Sequence, residues 1–293
     1  HRGGDDHAPG VGFGGDKTFH RSAAPRLQAV CYAAGSVKGF VTPEAYARGV
    51  IITTAMAANA VPVAEVTLAL IILAHKRWFA CQDGIRRGVA AGEDAHAVWR
   101  AVAALPHPGN YGATVGLVGL GAIGRLVLER LRTMDLRVLV FDPYLKADEA
   151  ARLGAEKVDD LVVMAGRCNT LSLHAPNIPA CRHMINAAVL KALPDGATFI
   201  NTARGALVDE AALVAELQTG RISALLDVTD PEPPERGHPF WTLPNCWLTP
   251  HRAGSSSDEI RRMGTLAVDE TLRVLAGEAP QHRVLESMLA TMA

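Results

Sequence analysis

Residues 113–125 read ATVGLVGLGAIGR, a run of β-branched and leucine residues that ends in Gly119, Gly121 and Gly124 at G-x-G-x-x-G spacing, with a helical pattern starting near Ile123. In such a frame the first glycine permits the tight turn and the second lets a pyrophosphate approach the backbone. The third lets the helix pack close to the strand, so that the phosphate meets free N–H groups at the helix start. Glycines also cluster in ordinary turns, so the surroundings decide the reading. The next apolar run, LRVLVFDPY, places Asp142 at its end, 18 positions beyond Gly124, where a ribose-binding acid belongs. A carboxylate there accepts from the ribose 2′-hydroxyl and repels a 2′-phosphate, so the predicted cofactor is NAD. The alternative makes Asp142 a cap for a helix after Pro143; it leaves the order strand, glycines, helix, strand, acid unexplained.

Outward from this stretch, short apolar runs alternate with helical segments. LQAVCYA, GVIITT, a helix over 63–80 and TVGLVGL lead into a helix over 122–134. LRVLVFD, CNTLSLH, ATFINT, a helix over 209–219, ISALLDV and CWLTP follow, then a final helical segment over 257–277. Near-continuous apolar strands between helices indicate a parallel sheet covered on both faces. The expected class is α/β, a doubly wound, Rossmann-type sheet, with no internal repeat.

The 293 residues, 49% hydrophobic and 20% charged, suffice for a large core and two domains. A formal charge of -1 and the lack of any run of five like charges argue against nucleic acid and anionic membranes as partners. The longest apolar stretch, AVPVAEVTLALIILA at 60–74, reads as too short for a bilayer and contains Glu65, and the N-terminus carries no signal-peptide pattern. Five cysteines without C-x-x-C spacing read as reduced packing residues, and the expected compartment is the cytoplasm. Residues 1–25 are glycine-rich and polar; an expected opening strand is not legible in them.

In open α/β sheets ligands bind beyond the carboxyl ends of the strands, so polar residues directly after apolar runs are the candidates. Four places qualify: His174 after TLSL, Arg204 after ATFINTA, the acids of DVTDPEPPE after ISALL, and His251 after CWLTP. Spacing does not decide between His174 and His251. The histidines around His75 and His183 lack metal-ligand spacing, and no metal is expected.

The stretch from LHAPNIPAC to DVTDPEPP, followed by LTPHRAG, resembles the D-isomer-specific 2-hydroxyacid dehydrogenases, and the likeness runs over roughly residues 27–277. NTARG, the LDV strand running into EP, and TPH stand in the family order. The resemblance implies a catalytic set of Arg204, Glu232 and His251. It also implies NAD contacts from Gly119, Gly121, Ala122, Ile123 and Gly124, from Asp142 and Pro143, and from His174, Ala175 and Pro176. Thr202, Ala203 and Arg204 would line the nicotinamide pocket, Asp227 would bind the carboxamide, and His251 would adjoin it. The implied substrate site joins Arg204 and His251 to the loop of Ala34, Gly35, Ser36 and Val37, whose counterpart presents backbone N–H groups to a carboxylate. Beside that loop, Lys38 reads as a solvated surface charge. The substrate class is a small 2-keto or D-2-hydroxy acid, with reduction the expected direction.

The implied architecture is an NAD-binding domain over 59–254 and a smaller, flavodoxin-like substrate domain built from 1–58 plus 255–293. The apolar helix VPVAEVTLALIILAHKR resembles the family's dimer arm, so a homodimer is expected; an intramolecular core helix is the alternative. The chain departs from the family in HAPNIPAC, which lacks a common threonine pair, in Asp230, where a glutamate is frequent, and in its first substrate-domain strand.

The residue chemistry agrees. An arginine fork matches a planar carboxylate and polarises the neighbouring carbonyl as negative charge develops. A histidine exchanges its proton near neutrality, and a glutamate on its other ring nitrogen favours the imidazolium that protonates an alkoxide. A rival reading, an NAD-sensing binding protein on the same fold, is opposed by the complete arginine, glutamate and histidine set.

Overall fold

The computed structural model describes residues 24–292, so most of the 1–25 segment lies outside the described residues. In chain order the elements are β1 (Ala29–Tyr32), α1 (Pro43–Ala47), β2 (Ile51–Thr54), α2 (Met56–His75), α3 (Trp78–Ala90), α4 (Ala95–Ala103), β3 (Thr114–Val118), α5 (Ala122–Leu131) and β4 (Arg137–Phe141). They continue with α6 (Ala147–Arg152), β5 (Glu156–Lys157), α7 (Leu161–Ala165), β6 (Thr170–Leu173), α8 (Ala187–Ala192), β7 (Thr198–Asn201), α9 (Glu210–Gln218), β8 (Ser223–Leu226), β9 (Cys246–Leu248) and α10 (Ile260–Leu275). Among the described residues two compact units emerge, 24–56 with 264–290, and 57–263 with 291–292.

The larger unit is built on a seven-stranded sheet in the order β5-β4-β3-β6-β7-β8-β9, every pairing parallel. β6, β7 and β8 are buried along their whole length, as a sheet covered on both faces requires. One apolar layer gathers Leu171, Leu173, Phe199 and Leu226 with Leu190 and Leu213; the other gathers Val115, Leu117 and Val140 with Val127, Leu131 and Ile71. The order reverses at β3 and β6, so the crevice beyond their carboxyl ends is the ligand position of a doubly wound fold.

The smaller unit has β1 and β2 paired in parallel, with Ala29 opposite Ile51, and the 282–284 segment beside β2. Val284 donates to the Ile52 carbonyl at 2.7 Å, and Thr53 bridges antiparallel to Arg283. Glu270 of α10, 1% exposed, holds this segment by accepting from the N–H groups of Gln281 and His282.

The helix expected over 63–80 is two helices. α2 begins at Met56 and tolerates Pro62 within its first two turns; it ends at His75, and Arg77 takes a left-handed conformation, φ 51°, before α3. The apolar pattern runs across this break, which no local residue type announces. α2 has 20 residues and is long and apolar enough to cross a membrane, unlike the shorter run read from the sequence. Its Ala64, Ile71 and Ala74 are nonetheless built into the second core layer. The final helical segment starts as a 3-10 turn at Ser257–Glu259, closed by a capping box between Ser256 and Glu259, before α10.

Candidate active site

Each expected cofactor residue follows the carboxyl end of a strand. The glycine turn comes after β3, Asp142 after β4, His174 after β6, Thr202 after β7 and Asp227 after β8. The three glycines do different work. Gly119 has φ +93° and an added Cβ would lie 2.8 Å from the Ala175 nitrogen; at Gly124 it would meet the Gly119 carbonyl oxygen at 2.3 Å. Both are sites of close backbone approach. At Gly121 an added Cβ would meet nothing within 4 Å, and no side chain caps the α5 start that it begins. Open space over uncapped N–H groups is the shape a pyrophosphate requires. Asp142 braces the same turn, its Oδ2 accepting from Leu120 N–H and its Oδ1 from Tyr144 N–H, each at 2.8 Å. Further lone pairs on both oxygens remain for a ribose. The residues therefore fit NAD.

His174 and His251 are placed very differently. His174 is 8% exposed, its Nε2 is 2.9 Å from Ser172 Oγ, and burial pushes its pKa down to about 4. A ring that stays neutral through the physiological range lacks the acidic imidazolium proton that a general acid gives. His251 is exposed, and its Nδ1 lies 2.9 Å from Glu232 Oε1. That contact fixes Nε2 as the outward-facing nitrogen, the one able to donate to a ligand when the ring is protonated.

The backbone of His251 is left-handed, φ 52°, a conformation that costs a side-chain-bearing residue free energy and persists only when its surroundings impose it. Here they do. His251 N–H donates to the Asp227 carbonyl at 2.9 Å, and the Asp227 carboxylate, 3% exposed, accepts from Thr249 Oγ1, Arg252 N–H and Ala253 N–H. Asp227 is thus the brace of the turn that carries His251, a role that the expected carboxamide contact did not foretell.

Arg204 follows β7 on a turn organised by Asn201, whose side chain accepts from Ala203 N–H at 2.9 Å and donates to the Arg204 carbonyl at 3.0 Å. Thr202 is anchored from α2 by Thr67, hydroxyl to hydroxyl at 2.9 Å. Sequence reasoning misses both Asn201 and Thr67; Asn201 is legible as an Asx turn after a strand, Thr67 is not. Arg204, Glu232 and His251 accordingly stand on turns after three adjacent strands, β7, β8 and β9. In the smaller unit, the Thr54 hydroxyl donates to the carbonyls of Ala34 and Gly35, and Val37 is fully buried. Among the described residues no hydrogen bond takes up the N–H of Gly35, Ser36 or Val37, and Lys38 is exposed. No group of His, Cys, Asp and Glu that could hold a metal is present among the described residues.

The family signature described as D-isomer specific 2-hydroxyacid dehydrogenase, NAD binding domain, matches residues 68–253. The chain belongs to the D-isomer-specific 2-hydroxyacid dehydrogenases. Among relatives of this family, a D-3-phosphoglycerate dehydrogenase of Methanocaldococcus jannaschii is 31% identical over 89% of this chain and 48% of its own length. The chain thus spans about half the length of the phosphoglycerate dehydrogenases it matches. A glyoxylate reductase of Thermofilum pendens is 32% identical over 91% of this chain and 77% of its own. The solved structure of the TT0316 protein of Thermus thermophilus aligns with a TM-score of 0.72 at 32% identity, covering 89% of this chain and 80% of that one. NAD is the cofactor of the family, in keeping with the cradle after β3.

Proposed function

We propose that this 2-hydroxyacid dehydrogenase reduces a small 2-keto acid to the D-2-hydroxy acid, with Arg204, Glu232 and His251 as its catalytic set. The observation that carries the reading is the exposed His251–Glu232 pair at 2.9 Å, held on a braced turn while His174 stays buried and neutral. Bound NADH supplies the hydride. Gly121, Ala122 and Ile123 at the start of α5 hold its pyrophosphate, Asp142 and Pro143 its ribose, and Ala175, Pro176, Thr202 and Ala203 the nicotinamide side.

His251 holds a proton at Nε2 and delivers it to the carbonyl oxygen of the substrate; the Glu232 carboxylate, 2.9 Å from Nδ1, orients the ring. Arg204 pairs two-pronged with the substrate's carboxylate and carbonyl and stabilises the negative charge as it forms. The named relatives act on acids of this kind, phosphoglycerate and glyoxylate, and a two-carbon or three-carbon 2-keto acid is the proposed substrate class. Free thiols at Cys31, Cys81, Cys168, Cys181 and Cys246 suit a reducing, cytoplasmic setting, and a homodimer is the proposed assembly.

The test is NADH oxidation with glyoxylate, pyruvate, hydroxypyruvate, phosphohydroxypyruvate and phenylpyruvate in parallel. Turnover with at least one acid is expected. Tight NADH binding with no turnover on any of them would favour an NAD-sensing protein instead.

A further inference from the structure

The loop that carries Glu232, TDPEPP over 229–234, has prolines at 231, 233 and 234 and therefore few backbone donors by which it can be fixed. Between residues 230 and 233 only Asp230 and Glu232 possess an N–H. Glu232 itself is exposed, so its aim at His251 depends on where the backbone of the loop is held. Within it, the Thr229 hydroxyl donates to the Pro231 carbonyl at 2.8 Å, and two contacts tie it to the turn after β7 and to α9. At Gly205, next to Arg204, an added Cβ would lie 2.0 Å from the Thr229 carbonyl carbon, so the two turns abut backbone to backbone. One residue further on, Asp230 N–H donates to Glu210 Oε1 at 2.8 Å.

We propose that Glu210, the first residue of α9, is a positioning residue that clamps the 229–233 loop so that Glu232 meets Nδ1 of His251. The proposal rests on the acid–base reading of Glu232 and His251 above. The surroundings of Glu210 are specific. Half-burial raises its carboxyl to about 7, against the opposing pull of the Asp230 N–H bond, and the Asp230 carboxylate raises it further. Arg182 stands 3.8 Å from the Asp230 carboxylate. A carbonyl oxygen accepts from Asp230 N–H whether the acid is ionised or not, so a glutamine at 210 keeps the clamp and an alanine removes it.

The experiment compares Glu210→Gln, Glu210→Ala, Glu232→Gln and the double variant Glu210→Ala/Glu232→Gln in the whole protein. It measures kcat with the best keto acid of the panel, KM for NADH, and the downfield Nδ1–H proton resonance of His251. Glu210→Ala is expected to lower kcat about three- to thirtyfold, less than the 10²–10⁴ of losing the acid itself. KM for NADH should be unchanged and the Nδ1–H resonance lost. Glu210→Gln should retain both activity and resonance, and the double variant should be no slower than Glu232→Gln alone. If alanine at 210 does not fold, Glu210→Asp, which withdraws the oxygen by one methylene, takes its place with the same expectations at smaller amplitude. An unchanged Nδ1–H resonance in the clamp-less variant overturns the proposal, as does a loss that adds fully to that of Glu232→Gln. A Glu232→Gln enzyme with unaltered rate refutes the acid–base reading instead, and the resonance then still decides the clamp.

Discussion

The backbone carbonyl of Asp227 accepts the N–H of His251 at 2.9 Å, while the carboxylate of the same aspartate gathers Thr249, Arg252 and Ala253 around it. One buried residue thereby holds a left-handed histidine in place. Asp227→Asn replaces an acceptor with a donor that must face an N–H, so destabilisation of about 1–3 kcal/mol is expected. The urea midpoint at unchanged m reads the stability, and kcat should fall with it as the turn relaxes. A variant of full stability and full kcat would mean that the turn holds itself.

His251→Asn should cut kcat for keto-acid reduction by about 10²–10⁴, the loss that follows removal of a positioned general acid, and leave the Kd of NADH nearly unchanged. Fluorescence titration and steady-state rates together measure this. Arg204→Lys should raise KM for the acid and lower kcat, since one ammonium does not reproduce a two-pronged contact.

His174→Asn should keep most of its turnover but change the acid side of the stability curve. The folded value of about 4 lies below the ordinary 6.5, so as pH falls through this window the unfolded chain takes up a proton that the folded chain refuses. Stability is full above about pH 6.5 and is lost toward pH 4, by up to about 3 kcal/mol for this one group. Subtracting the variant's curve from that of the unmodified protein should isolate the drop; two parallel curves would count against a buried neutral ring.

The two kinds of glycine in the cradle should separate on substitution. Gly121→Val fills open space above the start of α5, so the fold and its Tm should survive while NADH binding is lost. Gly124→Val drives a side chain into the Gly119 carbonyl and should destabilise the protein itself. Thermal melts and NADH titration of both variants distinguish them.

Asp142→Ala should narrow the preference for NADH over NADPH, measured as a ratio of kcat/KM. Because Asp142 also braces Leu120 and Tyr144, KM for NADH should rise as well. Equal kcat/KM for the two cofactors before mutation would remove the ribose assignment.

What can be read from the sequence is local in the chain. β3, the glycine turn, α5 and β4 lie in succession, and each carries its own signal: apolar run, glycine spacing, helical period, terminal acid. The short helices α6, α7 and α8 have only five or six residues, too few to display a period. Arg77, where α2 gives way to α3, is an ordinary helix former held left-handed by tertiary context. The supports of the site share this character. Glu210 reaches Asp230 across 20 positions and Thr67 reaches Thr202 across 135, distances at which no spacing rule speaks.

The reversal of strand order at β3 also sets when the site comes into being. β3 pairs β4 in a nearby register, Val115 opposite Val138, but its other edge waits for β6, where Val115 faces Thr170. That second closure spans a longer loop and has the larger entropy to overcome, so it is expected to come later in refolding. The crevice between the glycine turn and His174 does not exist until it is complete. During refolding, helical ellipticity should therefore return before the capacity to bind NADH, which makes the dinucleotide a clock for the last docking of the two halves of the sheet.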